Sequence, residues 1–330
     1  MSPLERCALV ERIFIQHKRF KELLELIRHC HEYSKISAEP ECMFIGGYAG
    51  TGKTTLQEYY MRQFPRAVLE ERTHVPVLRG RVPQRASDKT LVTELLRSIG
   101  DPAAEKGTSY NQTTRLRLLM RECGTEILFL DEFQHFIDKD SQKILKNISD
   151  WLKNLIDQSR TPIVLCGMPY ADEILDAPGN EQLKRRFSVR ASLDPFGWTT
   201  DEEQIEFRGF LKSVDVKLPF QKLSRLVGMD MAYRFFCATN GRIGKVMKIV
   251  RRAAELAIYA SSECLNLEVL SQAYEDRMRK DYPERVNPFT EGVKLEPVPF
   301  EEYVPNIAAH DRRRNGNWGG VGSISGLLHK

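Results

Sequence analysis

Over its first two hundred residues the chain alternates between short apolar runs and longer stretches whose apolar positions recur every three or four residues. From Leu4 to about Tyr33, Ile13, Phe14, Phe20, Leu23, Leu24 and Ile27 recur at helical spacing among Lys and Glu, which predicts one long amphipathic helix. Strands are predicted at Cys42–Gly46, Val75–Val82, Glu126–Leu130, Pro162–Cys166 and Val189–Leu193. Helices fill Lys53–Phe64, Asp88–Ile99 (with Ser87 or Asp88 as N-cap), Thr113–Glu122 and Ser141–Gln158 between them. Strands without hydrophobic alternation, separated by helices, belong to a parallel sheet covered on both faces. From Thr200 the strand pattern stops, and Asp201–Val214, Pro219–Leu226, Met231–Ala238, Ile243–Ala260 and Leu267–Lys280 read as helices. After Tyr282, prolines at 283, 288, 297, 299 and 305 and a Gly- and Ser-rich end predict an extended or disordered tail. Its Phe289, Phe300, Tyr303 and Trp318 make that tail a candidate for docking a partner. The expected organisation is a helical segment over 1–40, an α/β domain over 41–198, a small all-helical domain over 199–282 and a tail over 283–330.

Composition narrows the picture less than pattern does. Of 330 residues, 42% are apolar and 28% charged, which excludes a wholly disordered chain. A net charge of +4 neither demands nor forbids a polyanionic partner, so that question falls to local charge. No apolar run approaches the ~18 residues of a membrane span. The start, MSPLERCALVERIF, lacks an apolar signal core, so export is not expected and a cytoplasmic, bacterial setting is. Seven cysteines, at 7, 30, 42, 123, 166, 237 and 264, form no Cys-x-x-Cys pair and read as reduced thiols. His29-Cys30-His31 reads as a surface helix end rather than a metal half-site, because adjacent helical positions face different ways.

The strongest chemical signal is Gly47-Tyr48-Ala49-Gly50-Thr51-Gly52-Lys53-Thr54, a full G-x-x-x-x-G-K-[ST] between an apolar strand and a helix that continues through Thr55. Its glycines let successive N–H groups face a phosphate, and the helix N-terminus adds partial positive charge. Lys53 is expected at the β- and γ-phosphates of ATP, and the Thr54 hydroxyl on Mg²⁺. Ile127-Leu128-Phe129-Leu130-Asp131-Glu132 supplies the other half: a buried strand presenting two acids. Asp131 is expected in the Mg²⁺ shell, through water, and Glu132 as the group that orients and deprotonates the attacking water.

A phosphate-loop domain, a Leu-Asp-Glu strand, two further strands and a helical lid resemble the AAA+ superfamily, whose subunits form rings or helical filaments with ATP at their interfaces. The resemblance implies an α/β AAA+ P-loop fold with a parallel five-stranded sheet flanked by helices, plus a small helical lid. It places an arginine finger, which reaches a neighbour's γ-phosphate, at Arg185 or Arg186 in NEQLKRRF. It also leads one to expect a polar sensor at the end of the fourth strand, where Cys166-Gly167-Met168-Pro169 offers none. A lid arginine is expected near a helix start, and Asn240-Gly241-Arg242-Ile243-Gly244-Lys245 offers Arg242 or Lys245. These departures imply slow hydrolysis, or a site completed by assembly. Within the superfamily, residues 5 to 290 are similar to the TniB/TnsC group of transposition ATPases. The likeness rests on the order of segments: the Pro40 turn, Val75-Pro76-Val77-Leu78 before Val82-Pro83, LVTELLRSIGDP, Leu-Asp-Glu-Phe-Gln-His, ATNGRIGKVMKIVRRAAELA and Asn287-Pro288-Phe289. It implies an ATP-dependent regulator polymerising on double-stranded DNA, linking a TniQ-type target selector to a DDE transposase, with hydrolysis driving disassembly. Some members serve CRISPR-associated transposons. Adenine is expected near the N-terminal helix and Pro40.

Local charge agrees with a polyanion. Between Arg79 and Arg121 stand nine basic residues against four acids, a larger surplus than that of the whole chain. Lys89, Thr90, Lys106 and Thr108 are the expected phosphate contacts, since ammoniums and hydroxyls bind DNA without reading sequence. Two other classes fit the same motifs: a helicase loader or DNA-remodelling motor, and a monomeric signalling NTPase that never touches DNA.

Overall fold

The computed structural model describes residues 1–136, 142–176 and 180–297. Two helices come first, α1 (Pro3–Glu11) and α2 (Lys18–Ser34), then β1 (Met43–Gly46) and α3 (Lys53–Gln63). A small hairpin that the pattern did not announce follows, β2 (Ala67–Val68) and β3 (Thr73–His74). Then come β4 (Val77–Arg81), α4 (Asp88–Ile99), α5 (Ser109–Glu122), β5 (Ile127–Asp131), α6 (Gln142–Ser159) and β6 (Ile163–Gly167). The α/β part closes with α7 (Glu173–Asp176), α8 (Glu181–Arg186) and β7 (Val189–Ser192). The rest is helical: α9 (Asp201–Lys217), α10 (Met229–Thr239), α11 (Ile243–Tyr259) and α12 (Leu267–Met278).

Five parallel strands form one sheet in the order β4-β5-β6-β1-β7. β1, β5 and β6 are buried at every position, which is why their runs are apolar without alternation. One face is covered by the apolar sides of α4, α5, α6 and α8, the other by α2 and α3. The register aligns the strands' carboxyl ends: Gly46 opposite Gly167, and Arg81 opposite Asp131. Glycine is required where the chain leaves β1, because a Cβ on Gly47 would stand 2.7 Å from the Leu193 carbonyl oxygen.

α9 to α12 pack around a separate core. α1 belongs to this core through Val10, whereas α2 belongs to the sheet through Phe20, Leu23, Leu24 and Ile27. The single long helix expected over Leu4–Tyr33 is therefore two, broken at residues 12–17. Ile13-Phe14-Ile15 are three consecutive apolar residues, which no one helical stripe can bury, and outside either helix they bridge the two cores. The helix expected at Pro219–Leu226 is also absent. There the buried Asp215 carboxylate accepts the Ser224 and Leu226 N–H groups at 2.9 and 3.1 Å, replacing helical bonds.

His31 is not at a surface. It is fully buried, 2.8 Å from the Tyr60 hydroxyl and 2.9 Å from the Glu126 carboxylate, and burial lowers its pKa despite that acid. Beyond α12 the chain has no regular structure up to residue 297, yet it is not a loose tail. Phe289 is 1% exposed in the helical core, and buried Arg234 donates to the Pro288 and Thr290 carbonyls at 2.7 and 2.9 Å. Phe300, Tyr303 and Trp318 lie outside the described residues. Among the described residues no helix is long and apolar enough to cross a membrane.

Candidate functional site

The phosphate-loop residues Gly47 to Thr54 connect β1 to α3 at the carboxyl edge of the sheet. Gly50 (φ 79°) and Gly52 (φ 108°) take left-handed conformations, and Gly52 caps α3, so the helix's unpaired N–H groups open onto the loop. Lys53 is folded back: its ammonium donates to the carbonyls of Gly47 and, at 3.1 Å, Tyr48. Burial pushes the Lys53 pKa down, against the opposing pull of Asp131 and Glu132. An ammonium poised over loop carbonyls in a poorly hydrated place is ready to exchange them for phosphate oxygens.

The two acids have different surroundings. Asp131 is almost fully buried; its Oδ2 accepts from Thr54 at 3.2 Å and from Arg79 at 2.8 Å, and its Oδ1 accepts the Glu132 N–H at 3.0 Å. Arg79, from β4, also lies 3.6 Å from Glu58, and nothing in the sequence motifs marked it. Glu132 stands just past β5 with φ 59°, an unusual backbone state for a side chain with a Cβ. Its carboxylate accepts from the Gln134 amide and lies 3.5 Å from Arg81.

Above the loop is a cavity of about 370 Å³ lined by Ala49 to Thr55, Glu132, the segment at 13–17, and lid residues including Gly244, Met247 and Arg251. The lid touches the loop backbone to backbone: the Gly244 N–H donates to the Gly50 carbonyl at 2.8 Å. Ile13, Phe14, Ile15, Phe20 and Phe210 give the far wall an apolar character suited to a base. His17 sits there among Phe20, Phe196 and Phe210, and burial lowers its pKa to about 4. Pro40 is not part of this wall; it precedes β1, at the opposite end of the strand.

Of the lid candidates, Arg242 faces the loop, 5.9 Å above the Tyr48 ring. Lys245 faces away, donating to the Tyr282 hydroxyl with its nitrogen 4.7 Å over that ring. Arg251, two turns further along α11, lines the cavity and pairs with Glu11 at 3.2 Å. Only the helical repeat links it to the Gly241–Gly244 stretch, so the motif gave no signal for it.

The two arginines of α8 part company. Arg186 has only 10% of its side chain exposed, paired with Asp157, while its carbonyl receives the Cys42 N–H at 2.9 Å. Arg185 is 70% exposed and makes two bonds to Glu39, at 3.0 and 3.1 Å. Both lie at the amino end of β1, a strand of four residues, so roughly 13 Å of strand separates them from their own phosphate loop.

The basic segment is largely neutralised. Arg79, Arg97, Arg115 and Arg121 are in ion pairs. Among the described residues none pairs with Arg85, Lys89 or Lys106, all exposed. Thr90 and Thr108 both serve helix starts: Thr90 completes a capping box with Ser87, and Thr108 accepts the Asn111 N–H. The starts of α4 and α5 adjoin through a 2.6 Å bond from Ser109 to Asp88, which brings Lys89, Thr90, Lys106 and Thr108 to one edge.

A phosphate loop leaving β1, an acid pair at the end of β5 two places away in the sheet, and a helical lid docked on the loop define an AAA+ P-loop fold. Solved structures agree. The Cdc6p of Pyrobaculum aerophilum superposes with a TM-score of 0.59 at 13% identity, over 82% of this chain and 70% of that one. The Aeropyrum pernix ORC1 protein, solved in complex with DNA, gives 0.58 at 17% identity, over 82% and 69%. The ORC2 protein of the same organism, in its ADPNP–ADP complexes, gives 0.57 at 15%, over 80% and 68%. No curated protein matches in sequence. The model of the bacterial TniB protein family matches residues 7–196, more than half of the chain, and the chain belongs to that family.

Proposed function

We propose that this protein is an Mg²⁺-dependent ATPase that assembles, as a ring or helical filament, on double-stranded DNA without reading its sequence. The assembly links a TniQ-type target selector to a DDE transposase, and hydrolysis releases it. One observation carries the reading. Lys53, Thr54, Asp131 and Glu132 meet at the carboxyl edge of the sheet, whereas the exposed Arg185 stands at the amino edge, out of reach of its own loop. A finger so placed serves a second copy of the chain. Arg186 is held inward by Asp157 and keeps the end of α8 in place.

Thr54 and Asp131 present a hydroxyl and a carboxylate side by side, the hard oxygen donors Mg²⁺ takes, and bound there it would neutralise the β- and γ-phosphate charge. Since the Asp131 oxygens already accept from Arg79, Thr54 and the Glu132 N–H, Asp131 meets that shell through water. Glu132 orients and deprotonates the attacking water, and Arg242 approaches the phosphates from the lid. Arg85, Lys89 and Lys106, beside two helix N-termini, supply the phosphate contacts on DNA, as the DNA-bound ORC1 neighbour makes reasonable.

Imaging the protein with duplex DNA and a non-hydrolysable ATP analogue tests the whole reading. Rings or filaments on duplex are expected; threaded single strand would favour a motor, and monomers would end the proposal. The Lys89→Ala, Lys106→Ala double variant should assemble less well and show a flatter salt dependence, by a slope of about 2 if both contact phosphate. An unchanged slope moves the DNA contact elsewhere.

A further inference from the structure

The end of β6 carries no polar side chain, yet a side-chain amide occupies the space beside it. The turn after β5 (Phe133–Phe136) brings Gln134, only 8% exposed, against Gly167 and Met168. Its Oε1 accepts the Met168 N–H at 3.1 Å, and its Nε2 donates to the Glu132 carboxylate. The amide's orientation is set by its partners: a backbone N–H only donates and a carboxylate only accepts, so oxygen must face Met168 and nitrogen Glu132.

The same peptide plane does a second job. The Gly167 carbonyl, which shares its peptide bond with the Met168 N–H, accepts the N–H of Gly47, the first phosphate-loop residue, at 3.0 Å. Phosphate loop, Gly167–Met168 peptide, Gln134 and Glu132 therefore form one unbroken chain of hydrogen bonds. Space around the peptide is tight: a Cβ on Gly167 would stand 3.2 Å from the Gln134 oxygen and 3.2 Å from the Ala171 Cβ. Glu132 needs such a restraint, since Arg81, 69% exposed, draws its other oxygen outward at 3.5 Å.

We infer that Gln134 is the positioning residue for Glu132. It tells the carboxylate the state of the phosphate loop and does the work that a polar side chain on β6 would otherwise do. The inference rests on the reading of Glu132 as the base. When phosphates draw on the Gly47 N–H, the Gly167–Met168 peptide tilts, and the amide carries that tilt to the carboxylate.

The test compares the full-length chain with Glu132→Gln, Gln134→Met and Gln134→Glu, measuring ATP turnover, ATP affinity and thermal melting. Gln134→Met keeps volume but loses both bonds; kcat should fall at least about tenfold, with KM and affinity changed less than about twofold. Gln134→Glu keeps the acceptor and loses the donor until its carboxyl is protonated, so its turnover relative to wild type should climb as pH falls from 8 to 6. A Gln134→Met variant with normal kcat overturns the inference, as does one whose kcat falls only in step with affinity or melting. If Gln134→Met does not fold, the pH profile of Gln134→Glu decides, and a constant ratio to wild type overturns the inference. A dead Glu132→Gln beside a normal Gln134→Met leaves the base in place and removes only this coupling, whereas an active Glu132→Gln removes the base itself.

Discussion

On the sheet side of the cavity, Lys53, Thr54, Asp131 and Glu132 are tied to one another and to strand ends by hydrogen bonds within a few residues of the loop or across paired strands. On the lid side the Gly244 N–H donates to the Gly50 carbonyl and Arg242 lies 5.9 Å over the Tyr48 ring, whereas Lys245 turns away to Tyr282. On the sheet side, parallel strands fix the positions of the parts; on the lid side, the loop is met where two glycines let backbones touch and where Arg242 overlies Tyr48. In the proposed reading the chemistry falls on the first wall, and the second is the lid that meets it.

The largest effects should come from the sheet wall. Lys53→Ala should abolish measurable nucleotide affinity, and Glu132→Gln should bind ATP yet lose about a hundredfold or more in turnover. Equal turnover of Glu132→Gln and wild type would take Glu132 out of the reaction. At the opposite edge, Arg186→Ala should cost about 2 kcal/mol of stability, because it strips a largely buried side chain from Asp157, itself half exposed. Arg185→Ala should leave melting unchanged and lower only the turnover of the assembled protein; a loss of stability there would mark Arg185 as structural.

Changes on the lid side should be milder. A Cβ on Gly244 would stand 3.0 Å from the Gly50 oxygen and 3.2 Å from its Cα, both backbone, so the lid must retreat. Gly244→Val should weaken nucleotide binding about tenfold, or ~1.4 kcal/mol, with the assembled sheet domain intact. Unaltered binding would mean that the lid closes without that contact. The smallest effect concerns His17, whose folded pKa, about 4, lies below its ordinary 6.5 because of burial. The unfolded chain therefore binds the extra proton first, so its contribution is complete above pH 6.5 and is lost as pH falls toward 4. After allowance for partial exposure this is about 1 kcal/mol, read as the difference in urea midpoints between wild type and His17→Phe across that range.

Much of the sheet domain was legible because its signals are local. The strand pattern located the five strands of the parallel sheet to within two residues at either end, most plainly in the apolar runs of β1, β5 and β6, and the capped segment Asp88–Ile99 matched its helix throughout. The break at residues 12–17 was not legible, since helical spacing persists on both sides and only the presence of two cores interrupts the helix. The loop at Pro219–Leu226 eluded the pattern for a similar reason: Asp215 supplies bonds that periodicity cannot show.

The loop Gly47–Thr54 and the pair Asp131-Glu132 stood out as candidates in the sequence alone, because their spacing sets them on a strand-to-helix loop and a strand's end, and the structure puts both at one edge of the sheet. Which arginine of α8 turns outward, that Arg242 meets the loop while Lys245 does not, and that Gln134 stands beside β6 were decided in three dimensions. Each depends on what a helix end or turn packs against, and those partners lie far away along the chain.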